Sequence, residues 1–197
     1  IAQSKNIIAV KTLPQITPQL GFDYLKNFGF TTLVEREEIT VGGKTQVFSD
    51  IQQSLALGGI TKGVTNEELT AAYASIANGG TYIKPKLYTK VLDHDGNVIL
   101  DNTAPQSRQV IKETTAWLLT DAMVDVVTSG TGASVNFGNM AIAGKTGTTS
   151  DYNDVWFSGY TPYYTASVWT GYDNNSKFQL GNGERNLAKK LWRAVMS

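Results

Sequence analysis

Apolar and polar positions along the chain change period from helical in the first two-thirds to alternating in the last third. From Ile7 to Leu13 apolar residues crowd a stretch that predicts a helix, stopped at Pro14. Thr17-Pro18 offers a hydroxyl N-cap with proline at the first helical position, so a second helix is expected to run to Phe28 and end at Gly29. Residues 31–48 keep no period, and with Glu35, Glu37, Glu38 and Gly42-Gly43 they read as a solvated surface excursion. Ser49 to Leu57 predicts a short helix ended by Gly58-Gly59. Thr65-Asn66-Glu67-Glu68 is a capping box, and the helix it opens carries Leu69, Ala72, Tyr73 and Ile76 on one face as far as Asn78-Gly79-Gly80.

Beyond that point Tyr82 to Lys84 and Leu87 to Leu92 look extended. Asp95-Gly96 marks a turn from which Val98 to Leu100 returns as a hairpin. Lys112 to Val127 predicts the longest helix, with Leu119, Ala122 and Val126 in register and Ser129-Gly130-Thr131-Gly132 as its breaker. Three strands are then expected at about 140–146, 154–161 and 163–172, and their short connections imply an antiparallel meander. In the last strand Tyr164, Ala166 and Val168 alternate with Thr165, Ser167 and Trp169, so both faces of the sheet should be covered. Leu187 to Met196 closes the chain as an amphipathic helix with Leu187, Leu191 and Val195 in register. The fold class is therefore α+β: a mostly helical region over about 1–135, then sheet and terminal helix over about 136–197.

Composition narrows the function. The 197 residues are 41% hydrophobic, and 17 basic residues balance 17 acidic ones. With no charge excess, neither a general nucleic-acid surface nor a polybasic membrane surface is expected. There is no cysteine, and the single histidine, His94, excludes a multi-His zinc site and reads as an exposed turn residue. Tyr73 and Trp117 read as packing residues. The chain begins at Ile1 with no signal peptide or spanning apolar stretch, which suggests a piece of a longer protein with its targeting elements upstream.

The most informative segment is Lys145-Thr146-Gly147, which follows the apolar run Met140-Ala141-Ile142-Ala143-Gly144. A buried strand delivering a fixed cation, hydroxyls and an exposed backbone to a sheet edge suits capture of a carboxylate-bearing substrate. Gly144-Lys145-Thr146 could also end a phosphate-binding loop. That motif, however, needs glycine at 139, where Asn139 stands, and a helix rather than strands afterwards.

The chain resembles the C-terminal part of the transpeptidase domain of a penicillin-binding protein of the bifunctional class A type. The resemblance is carried by Gln3-Ser4-Lys5-Asn6-Ile7-Ile8-Ala9-Val10, Ala56-Leu57-Gly58-Gly59, Ala71-Ala72-Tyr73-Ala74 and Ala77-Asn78-Gly79-Gly80. Ser129-Gly130-Thr131-Gly132-Ala133, Ala143-Gly144-Lys145-Thr146-Gly147-Thr148-Thr149 and Trp156-Phe157-Ser158-Gly159-Tyr160-Thr161-Pro162 follow in the family's order. It implies a partial serine β-lactamase/transpeptidase-like fold in which Ser4, Asn6 and Lys145 are catalytic and Thr146, Gly147, Thr148 and Thr149 bind substrate. Lys145 would supply positive potential, Ser4 would relay a proton, Asn6 would hold a substrate amide, and the Thr148 N–H would face an oxyanion. Asp154 and Trp156 would shape the strand edge. No metal or organic cofactor is implied.

One signature of the family is missing: no serine of the chain has lysine three residues on, so the Ser-x-x-Lys nucleophile is expected in an upstream half of the domain. The resemblance implies a D,D-transpeptidase that attacks stem peptides ending in D-Ala-D-Ala and binds β-lactams, with this chain inactive alone. An inactive peptide- or β-lactam-binding fragment and a carboxypeptidase or β-lactamase relative are the alternatives. The parent is expected on the extracytoplasmic face of the bacterial plasma membrane, held by an upstream anchor. A glycosyltransferase domain would precede this one. Loss of the upstream half would bare the edge of the 163–172 strand and invite self-association.

Overall fold

A computed structural model describes residues 1–178 and 183–197. Five α-helices are described, α1 (Asn6–Ile16), α2 (Pro18–Asn27), α3 (Asn66–Ala77), α4 (Glu113–Thr128) and α5 (Leu187–Met196). The strands are β1 (Glu37–Val41), β2 (Lys44–Phe48), β3 (Thr81–Ile83), β4 (Lys90–Leu92), β5 (Val98–Asp101), β6 (Ser107–Gln109), β7 (Ala143–Thr148), β8 (Asp154–Tyr160) and β9 (Thr165–Gly171). The α+β class holds.

The predicted meander is present, in the antiparallel order β7-β8-β9. Register places Thr146, Phe157 and Val168 side by side on one face and Lys145, Ser158 and Ser167 on the other. The Phe157 face carries the main core, where Val155, Phe157 and Ile142 meet Val127, Ala188 and Trp192. Trp192 lies edge-on to Phe157 at 5.0 Å between ring centroids, and its Nε1–H donates to the Ala166 carbonyl at 3.0 Å. On the opposite face Tyr160, Ala143 and Met123 pack with Tyr73 and Ile76. The sheet is thus covered on both sides.

Local rules explain the starts of α2 and α3. Thr17 accepts from Leu20 N–H at 3.2 Å, and Thr65 and Glu68 form the reciprocal capping box. Glu68 does more than cap. Its Oε1 also accepts from the N–H and hydroxyl of Thr31, at 2.9 and 2.6 Å, which ties the 31–34 loop to α3. Burial raises the Glu68 pKa, but the hydrogen bonds from Thr31 and Thr65 outweigh it and hold the carboxyl below its ordinary value.

Several expectations need correction. Pro14 does not stop the first helix: α1 continues to Ile16 with Pro14 inside. The proline has no N–H for the Val10 carbonyl, and the Gln53 side-chain amide donates to that oxygen instead, at 3.2 Å. The 31–48 excursion contains the β1–β2 hairpin, whose Gly42 and Gly43 have φ of +60° and +77°, as a tight two-residue turn requires. The short helix predicted from Ser49 is a 3-10 turn over Gln53–Leu57. The β4–β5 hairpin forms as predicted, but β6, which pairs with β3 across Thr81↔Gln109, was not foreseen.

In α5 the buried residues are Ala188 and Trp192, while Leu187, Leu191 and Val195 are exposed. Two apolar stripes compete on that helix, and the sheet selects the one bearing the large indole. Trp117 is exposed as well, on the outer side of α4 beside the exposed Leu118. His94 is exposed in its turn, next to Asp95.

Candidate active site

β7 is an edge strand. It pairs with β8 alone among the described strands, so its other side is open to a ligand backbone. Ala143 and Gly144 are buried at its start, Lys145 to Gly147 are half-buried, and Thr148 and Thr149 are exposed. The strand therefore climbs out of the core and presents the Lys-Thr-Gly segment where it emerges.

Lys145 and Ser4, 141 positions apart in sequence, are brought into contact. The Lys145 Nζ donates to Ser4 Oγ at 2.7 Å and to the Thr146 carbonyl at 2.9 Å, with a longer contact to Thr146 Oγ1 at 3.4 Å. All three are neutral oxygens. No ion pair involves Lys145 among the described residues, and burial holds its pKa below the ordinary lysine value. A half-buried cation with only neutral partners retains an attraction for an incoming anion.

Ser4 has φ of +50°, a left-handed conformation uncommon for a residue with a side chain, and its N–H closes a turn onto the Ile1 carbonyl at 2.9 Å. This turn immediately precedes α1, whose first residue is Asn6, exposed beside the site loop. Lys5 is the helix N-cap.

Thr149 takes a structural part at the β7–β8 turn: its hydroxyl accepts from the N–H groups of Asn153 and Asp154, both at 3.0 Å. Asp154 in turn accepts from the Trp169 indole at 2.8 Å, and the Trp156 and Trp169 rings lie 6.4 Å apart. These contacts stiffen the end of β8 opposite the exposed part of β7. The bulk of β7, Ser4 and the turn at 129–132 meet at one place. A separate cleft of about 460 Å³, lined by Ala74, Thr120, Tyr160 and Tyr163 among others, contains neither Ser4 nor Lys145. Among the described residues no three His, Cys, Asp or Glu side chains converge, and no helix is long and apolar enough to cross a membrane.

The string Ser129-Gly130-Thr131-Gly132-Ala133 reads in sequence both as a helix stop and as part of the family resemblance, with no role for Thr131. In the structure the Thr131 hydroxyl lies 2.8 Å from that of Thr146, which sets this turn against the Lys-Thr-Gly strand.

Comparison with known proteins places the chain in a family. The family described as penicillin binding protein transpeptidase domain matches residues 1–197. Penicillin-binding protein 1A of Clostridium acetobutylicum is 35% identical over 197 residues, covering 100% of this chain and 22% of the relative. Penicillin-binding protein 1F of Bacillus subtilis is 35% identical over 203 residues, covering 100% of this chain and 26% of its own length. The chain thus spans about a quarter or less of the length of these relatives. Among solved structures, penicillin-binding protein 1A from Haemophilus influenzae superposes with a TM-score of 0.75 at 22% identity, over 100% of this chain and 33% of that one. The D,D-transpeptidase domain of a peptidoglycan glycosyltransferase from Eggerthella lenta gives 0.69 at 21% identity, over 98% and 51%. At such identities the two structures establish the shared fold.

Proposed function

Because the chain belongs to the penicillin-binding protein transpeptidase family, we propose that it supplies the carboxylate-binding and proton-handling side of a D,D-transpeptidase site in peptidoglycan synthesis. The nucleophilic serine is contributed by another part of the same protein, since no Ser-x-x-Lys occurs in these 197 residues. The observation that carries the reading is the 2.7 Å contact between Lys145 Nζ and Ser4 Oγ at the open edge of β7.

A stem peptide ending in D-Ala-D-Ala would lie along that edge as an added strand, with its backbone paired to residues 145–149. Lys145 attracts its terminal carboxylate, and the hydroxyls of Thr146 and Thr148 donate to it. Gly147 leaves the strand surface open to the ligand. The serine oxygen attacks the carbonyl between the two D-alanines, and the Thr148 N–H stabilises the negative charge that develops on the carbonyl oxygen. The C–N bond breaks, and the proton given up by the attacking serine reaches the departing amine of D-Ala through Ser4. Lys145, donating to Ser4 Oγ, leaves the Ser4 proton free to move in that direction. Asn6 would hold a substrate amide. The acyl ester then passes to an amine of a neighbouring strand, which loses a proton as the new amide forms. A β-lactam would acylate the same serine. Thr149 acts mainly by closing the turn that fixes the end of β7.

The outer edge of β9, unpaired among the described strands, would be covered by a strand from the rest of the domain. The whole protein would work on the extracytoplasmic face of the plasma membrane. The isolated chain would form no acyl-enzyme and would self-associate; a cleanly monomeric 21.4 kDa species in light scattering would contradict the latter.

The test is turnover by the protein that contains this chain. Given a D-Ala-D-Ala stem peptide and an amine acceptor, it should release D-Ala and form the cross-linked amide. Hydrolysis without cross-link would make it a carboxypeptidase, and no release of D-Ala would refute the reading.

A further inference from the structure

The turn after α4 touches both halves of the site, and one of its residues, Thr131, reaches both. Thr131 has three polar groups, and all are used. Its N–H donates to the Ala2 carbonyl at 3.2 Å, two residues before Ser4. Its own carbonyl accepts from Lys189 Nζ on α5 at 3.4 Å. Its hydroxyl pairs with that of Thr146 on β7 at 2.8 Å. Gln3 reinforces the first link by donating to the Ser129 carbonyl at 3.3 Å. Approach of the Ala2 segment is so close that a Cβ on Gly130 would collide with the Ala2 oxygen. The segment leading to Ser4, the strand bearing Lys145 and the terminal helix are therefore referenced to one point.

The hydroxyl pair has a direction. A threonine hydroxyl offers one proton and two acceptor positions. Thr146 Oγ1 already faces Lys145 Nζ at 3.4 Å, a group that can only donate. If Thr131 also donates to it, both acceptor positions of Thr146 are filled and its own proton must point elsewhere, toward the open edge of β7. We infer that Thr131 is a positioning residue, which donates to Thr146 so that the Thr146 proton is held for the substrate carboxylate, and which keeps the Ser4 turn in register with Lys145. The inference rests on the functional reading above and adds a residue to it.

The test uses the whole protein, with benzylpenicillin and its methyl ester as probes, acylation followed by intact mass. Thr131→Val should slow acylation by benzylpenicillin about tenfold, mainly through weaker initial binding. It should leave the slow reaction of the ester unchanged within about twofold, because the ester has no carboxylate for Thr146 to meet. Thr131→Ser, which keeps the hydroxyl, should stay within about twofold of wild type for both probes, and it decides the matter if Thr131→Val does not fold. Equal losses for acid and ester, an unimpaired Thr131→Val or a Thr131→Ser as slow as a null would each overturn the positioning role. A wild-type protein that gains no mass from benzylpenicillin would refute the underlying functional reading instead, and this inference with it.

Discussion

Two charged side chains, Asp50 and Lys145, are withdrawn from water in this molecule, and they are treated in opposite ways. Asp50 is fully buried, and both its carboxylate oxygens are hydrogen-bonded: Oδ2 accepts from Val34 N–H at 2.7 Å, and Oδ1 accepts from the N–H and the hydroxyl of Thr61, both at 2.7 Å. Every donor comes from within the chain, so the group holds the loops on either side of the β1–β2 hairpin and has nothing left for a ligand. Lys145 is half-buried at a strand edge, faces only neutral oxygens and has one of its contacts stretched to 3.4 Å. A buried charge enclosed by its partners marks architecture, and one held by a stretched contact at an opening marks a site.

The contrast breaks most forcefully at Asp50. Asp50→Ala strands the Val34 N–H in the interior, takes the partner from both Thr61 donors, and should destabilise the domain by about 3 kcal/mol, read as a large drop in melting temperature. Lys145→Ala should do the reverse. Acylation by penicillin should fall about a hundredfold or more, while the melting temperature holds or rises, because a cation costly to bury has gone. A Lys145 variant that unfolds like the Asp50 variant would erase the distinction between the two sites.

Smaller effects sharpen it. Gln53→Ala removes the donor that covers the Val10 carbonyl left open by Pro14, and should cost about 1 kcal/mol by thermal melting. Glu68→Gln should cost about the same at neutral pH. Because the Glu68 carboxyl is held below its ordinary value, its contribution is present above the usual glutamate range and is lost as pH falls through the lowered folded value; the variant should flatten that acid limb. Lys145 and Lys189 give the smallest effect. Burial lowers both, with Arg185 adding to it at Lys189, so the unfolded chain binds more protons just below the ordinary lysine pKa. Stability should rise with pH across that window, and Lys145→Met should weaken the rise.

What the sequence disclosed follows from the range of the forces involved. The capping box at Thr65–Glu68 and the Thr17-Pro18 start are decided within four residues, and both formed as read. The meander was legible because its strands are consecutive and closely joined. Features set by distant partners were not legible. Gln53 rescues Pro14 from 39 positions away in sequence, β6 finds β3 beyond an intervening hairpin, and the sheet selects Ala188 and Trp192 over Leu187 and Leu191. The site divides along the same line. Ser4, Asn6 and Lys145 were readable as motif residues, whereas the part played by Thr131 depends on a hydroxyl pairing that only the folded chain creates.

The most direct measurement is peptide mapping by mass spectrometry of the penicillin-treated whole protein. A single penicilloyl group is expected on a serine outside residues 1–197, lost when Lys145 is replaced by alanine. An adduct on any serine within these residues, or labelling indifferent to Lys145, would contradict it.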